Sequence, residues 1–138
     1  MPKSTRKPLS KTKRALVYAK FNGRCGYCGK ILETVGSMTV DHIEPVRLIE
    51  SKYELKFAND KNNVDNLMPS CNACNTYKGA LRLEHFREQL KKLINEKQRS
   101  LFATTTKHNL AINYGQIQFA NWDGVFYFEK YVEFEGIE

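Results

Sequence analysis

The chain has 138 residues, of which 41% are hydrophobic and 27% charged, enough for one modest domain with some decoration. No apolar run approaches the ~18 residues that span a bilayer, which excludes a membrane-spanning helix, and the basic start MPKSTRKPLSKTKR lacks the apolar stretch of a signal peptide. The net charge is +7 and unevenly placed: residues 1–30 carry nine Lys or Arg and no acid, whereas 121–138 carry five acids against Lys130 alone, so a polyanion is the expected partner of the N-terminal half.

In chain order, residues 1–9 read as a mobile basic arm. Lys3, Arg6 and Lys7, with Lys11, Lys13 and Arg14 just beyond, make a phosphate-binding arm whose contribution is independent of base sequence. Ser10 is placed to cap a helix over 11–21, with Ala15, Leu16 and Ala19 on one side. NGRCGYCGK, residues 22–30, reads as a tight glycine-rich knuckle. SMTVDHI (37–43) reads as a strand that Pro45 discourages from continuing, and 46–65 as irregular, with a short helical piece around 46–56. A second strand lies in DNLMPSC, followed by a helix from about Asn72 to Lys78 that Gly79 ends. Leu83, Phe86, Leu90, Leu93 and Ile94 fall at helical spacing over 83–98. From about 108 to 135 the aromatic segments QIQFA and GVFYFEKYVEF suggest the two strands of a hairpin. That hairpin is read as core cover, with base stacking and a dimer contact as the alternatives. The whole of 10–138 reads as a single domain.

Two C-x2-C pairs, Cys25/Cys28 and Cys71/Cys74, are separated by 42 residues. In a reducing cytoplasm four such thiols are metal ligands rather than disulfides. Four thiolates fill the coordination sphere of a tetrahedral zinc, leaving no open position, so this ion is structural. It supplies on the order of 10 kcal/mol to folding. On the helix that starts near residue 71, Cys71, Cys74, Asn75 and Lys78 fall at i, i+3, i+4 and i+7, on one face. Asp41 and His42 add a hard oxygen ligand and an imidazole that titrates near neutral pH. His85 and His108 read as surface or packing residues.

Taken together, the order C-x2-C, D-H, N-L-x-P-x-C-x2-C-N-x2-K resembles the HNH endonuclease family, the zinc-supported ββα-metal nucleases, over about residues 21–80. The resemblance implies an α+β fold, with a ββα-metal core, the four-cysteine zinc and flanking helices. It implies His42 as general base, Asp41 as ligand to a catalytic divalent ion, and Asn66 as the middle Asn that fixes the imidazole. Asn75 stands where a His is the usual second ligand, giving an H-N-N variant, and Lys78 is expected on a phosphate. An all-oxygen set suits Mg²⁺ or Mn²⁺ better than zinc or nickel.

The implied activity is hydrolysis of DNA to 5′-phosphate and 3′-hydroxyl ends, by nicking in a monomer, with a homodimer as the route to double-strand cleavage. The looser likeness of FRE and FYFEK to small phage and prophage proteins makes packaging proteins a candidate partner and the bacterial cytoplasm the expected location. A zinc-stabilised DNA-binding module without catalysis is the competing reading.

Overall fold

A computed structural model describes residues 8–46, 55–96 and 105–131. Lys3, Arg6, Lys7 and most of the helical piece expected around 46–56 lie outside the described residues. No helix among the described residues is long and apolar enough to cross a membrane.

Helix α1 spans Lys11–Ala19, and the Ser10 hydroxyl accepts the Lys13 N–H at 3.1 Å, as a capping serine should. Its buried residue is Val17, whereas Ala15, Leu16 and Ala19, the expected apolar side, face solvent. The inward side is instead completed by long polar side chains whose heads reach backbone carbonyls. Lys20, just past the helix, donates to Val64 and Leu67, and Tyr18 donates to Leu32.

Strands β1 (Thr39–His42) and β2 (Leu67–Ser70) form a two-stranded antiparallel sheet, with Asp41 opposite Met68 and His42 opposite Leu67. All four β2 residues are buried. Helix α2 (Asn72–Lys78) follows directly and packs on β1. Cys71 caps it through its sulfur, and Gly79 ends it at φ 52°, a conformation that favours glycine. Strand, strand and helix are the ββα core that the sequence implies, and the fold is α+β.

The first knuckle is a tight reversal in which the Cys25 N–H donates to Lys30 O and the Gly29 N–H to Cys25 O. It docks on the sheet through the Gly26 N–H, which donates to Pro69 O at 2.7 Å. A Cβ on Gly26 would run into the buried Met68 side chain, which would have to shift to admit it.

By contact, the chain divides into two compact units, one holding the described residues up to Arg82 with 126–131, the other Leu83–Val125. In the second unit α3 (Leu83–Lys91) buries Phe86 and runs into a π-helical turn, Lys92–Glu96. Residues 97–98 of the expected helix lie outside the described residues. Asn95 pins Trp122 through both backbone groups, and Arg87 donates to Gly124 O.

The C-terminal hairpin does not form. Thr106–Asn113 and Tyr127–Lys130 are helical, and no strand occurs among described residues 105–131. Thr105 caps the first helix by accepting the His108 N–H. The aromatic residues of the second segment meet the first unit instead of a partner strand, since Tyr127 N–H donates to Tyr27 O and Phe128 N–H to Gly26 O. Packing of this kind overrides strand propensity.

Candidate metal centre and active site

The fold brings Cys25, Cys28, Cys71 and Cys74 together, with all four sulfurs within 4.8 Å of one another. Cys28 and Cys71 are 3.7 Å apart, too far for a disulfide and close to the sulfur spacing of about 3.8 Å around a tetrahedral zinc. The Cys71 sulfur also accepts the Cys74 N–H. Hydrogen bonds from Cys28 and then Cys74 draw the Cys25 thiol far below its ordinary pKa. The same contacts push Cys28 up to about 11 and Cys74 higher still, Cys25 being the first cause in each case. Sulfurs this close repel one another once ionised, and a cation among them relieves that repulsion. The donor set fits a structural zinc.

Beside this centre, Asp41, His42 and Asn75 border one cavity of about 320 Å³, walled by Val40, Pro45, Val46 and the Gly79–Ala80 turn. Asp41 and His42 are successive strand residues and start toward opposite faces. Both nonetheless border the same cavity, at the end of β1.

The Asp41 carboxylate is 5% exposed. Its Oδ2 accepts the Tyr27 hydroxyl at 2.5 Å and lies 3.1 Å from Lys78 Nζ. No described residue donates to Oδ1. Burial pushes the Asp41 carboxyl up, against the downward pull of Lys78 and Tyr27. Burial, then the Asp41 charge, raises the Tyr27 phenol well above its ordinary value.

Lys78 takes a different place from the one expected for a phosphate contact. Its side chain is 0% exposed, and Nζ also donates to His42 O at 3.0 Å. Seven residues after Cys71, Lys78 falls on the α2 face that covers β1, where a buried carboxylate requires a cation. Asn75 is half-buried, and its side-chain amide makes no hydrogen bond with the described residues.

Asn66 is fully buried and holds the loop rather than the imidazole. Its Oδ1 accepts the Glu44 N–H, and its Nδ2 donates to Glu44 O and Lys61 O. The residue that meets His42 is Asn62, with Oδ1 2.8 Å from Nε2. Nothing in the sequence pattern singles it out, because KNNVDN offers three asparagines and only Asn66 sits in the N-L-x-P frame.

In the basic arm, Arg14 donates to Val35 O and Met38 O, and Lys13 to Asn62 O at 2.7 Å, whereas Lys11 is exposed. The first two thus brace the structure around the site. His85 and His108 lie on helices of the second unit, exposed, with His85 Nε2 3.3 Å from Gln89.

Residues 25–81 match the family model described as HNH endonuclease. The match takes in both cysteine pairs, Asp41, His42, Asn66, Asn75 and Lys78, so the resemblance read from the motifs holds for the segment that builds the site. No curated protein and no solved structure matches the chain. An HNH segment points to nuclease activity in general.

Proposed function

We propose that the protein is a metal-dependent DNA endonuclease that hydrolyses phosphodiester bonds through His42, leaving 5′-phosphate and 3′-hydroxyl ends. The observation that carries this reading is the cavity shared by Asp41, His42 and Asn75 within an HNH-matched segment. An amide oxygen accepts hydrogen bonds, so at the Asn62 contact Nε2 carries the proton and Nδ1 keeps the lone pair. Nδ1 is then the atom that takes a proton from an attacking water.

Asp41 Oδ1 and the Asn75 amide oxygen fit a hard divalent cation, Mg²⁺ or Mn²⁺, which when bound supplies Lewis-acid stabilisation of the phosphate. Lys78 holds the carboxylate from behind, and the apolar wall of Val40, Pro45 and Val46 limits water around the reacting groups. Lys11 and the arm before it favour the DNA backbone electrostatically. One site per chain cuts one strand per encounter, so a monomer nicks and a double-strand break takes a dimer or two encounters.

The test is relaxation of supercoiled plasmid by the zinc-loaded protein with Mg²⁺, Mn²⁺, Ni²⁺ or Zn²⁺ added. Relaxation with Mg²⁺ or Mn²⁺ is expected. Greatest activity with Ni²⁺ or Zn²⁺ would remove Asn75 as a ligand, and DNA binding without relaxation under any metal would favour a binding module.

A further inference from the structure

We propose that Tyr27 is a positioning residue for the hydrolytic site: its hydroxyl, presented by the first cysteine knuckle, holds the Asp41 carboxylate with one oxygen left for a cation. The inference rests on the reading of Asp41 as a cation ligand and adds a residue that this reading does not use.

Tyr27 sits between Cys25 and Cys28, and its ring runs from the thiolate centre to β1. The phenol and the Lys78 ammonium converge on a single oxygen, Oδ2. A hydrogen bond from Tyr27 and an ion pair with Lys78 on one oxygen fix the plane of a carboxylate that would otherwise turn about its terminal bond, and they leave Oδ1 to the cavity that Asp41 borders.

The ring itself is 3% exposed. Phe126 packs edge-on against it at 5.3 Å and Phe128 at 6.3 Å. The backbone on either side is pinned as well, since Tyr27 O and Gly26 O accept the N–H groups of Tyr127 and Phe128, while Gly26 N–H donates to Pro69 O. A side chain held this firmly transmits the position of the knuckle to the carboxylate. The thiolate centre and the hydrolytic centre are thus joined through one hydroxyl, and the segment 126–131 braces that joint.

The experiment titrates Mn²⁺ into the zinc-loaded full chain and follows free Mn²⁺ by electron paramagnetic resonance, for wild type, Tyr27→Phe and Asp41→Ala. Tyr27→Phe keeps the ring and its packing, so it is expected to retain one zinc per chain while binding Mn²⁺ about tenfold more weakly. Asp41→Ala is expected to abolish this binding. If Asp41→Ala abolishes binding but Tyr27→Phe binds as wild type does, the positioning role of Tyr27 is overturned while the ligand role of Asp41 stands. If Asp41→Ala also binds as wild type does, the ligand role falls and the inference with it.

A measurement on wild type keeps the idea open to refutation even if the phenylalanine variant does not fold. The Tyr27 hydroxyl proton, buried and bonded to a carboxylate, should give a slowly exchanging downfield resonance that moves as Mg²⁺ is titrated. Absence of that resonance, or its indifference to Mg²⁺, would overturn the role.

Discussion

His42 depends on a neighbour that the motif does not name. The Asn62 side chain holds one edge of the imidazole, its Oδ1 2.8 Å from Nε2, through one exposed hydrogen bond. Losing such a bond is worth about 1 kcal/mol, so Asn62→Ala should lower the cleavage rate roughly five- to tenfold, with zinc content and DNA affinity unchanged. Asn62→Asp tests the same contact with the acceptor kept: a carboxylate oxygen there still holds the imidazole, so single-turnover rates should fall less than with Asn62→Ala. The cysteine cluster and the place of Asp41 and His42 at one cavity were legible because C-x2-C spacing and the D-H pair are local signals. Asn62 and the inward turn of Lys78 were not, because the first depends on the path of the loop over residues 55–66 and the second on which face of α2 covers the sheet.

At the scale of elements, that loop is closed by the groups at its base. Ile43 N–H donates to Asn66 O at 2.9 Å, and the Asn66 side chain bonds both backbone groups of Glu44. The Glu44 carboxylate reaches across to accept the N–H groups of Lys56 and Phe57 and lies 3.4 Å from Lys61. Burial pushes the Glu44 carboxyl up, but those N–H groups and Lys61 outweigh it, and its pKa lies below the ordinary 4.5. A lowered carboxyl pKa means that the folded state holds this proton less tightly than the unfolded chain. The stabilisation is therefore complete above the ordinary value and is lost as pH falls through the folded one. Thermal unfolding followed by circular dichroism should show midpoints that decline below pH 4.5, with a shallower decline in Glu44→Gln.

Helices α1 and α2 and both strands could be read from caps, periodicity and punctuation. The C-terminal hairpin could not, since aromatic residues that pack against a distant knuckle have the same local signature as strand residues.

In the whole molecule, the four sulfurs tie residues 25–28 to residues 71–74 and so hold both strands and α2 against one another. In a chain this small a cation at that centre contributes a large share of the folding free energy. The charge separation along the sequence keeps its meaning at this scale. The described part of the basic stretch, from residue 8 on, lies in the same compact unit as the cavity, and its members divide between bracing the site, as Arg14 and Lys13 do, and facing solvent, as Lys11 does.

On the proposed mechanism this scaffold brings the His42 imidazole to a phosphate bound in the cavity. The most direct test compares single-turnover plasmid nicking by wild type and His42→Ala, in Mg²⁺ and at equal zinc content. A loss of at least about 100-fold is expected in the variant, the least a positioned general base contributes. Equal rates in the two proteins would contradict it.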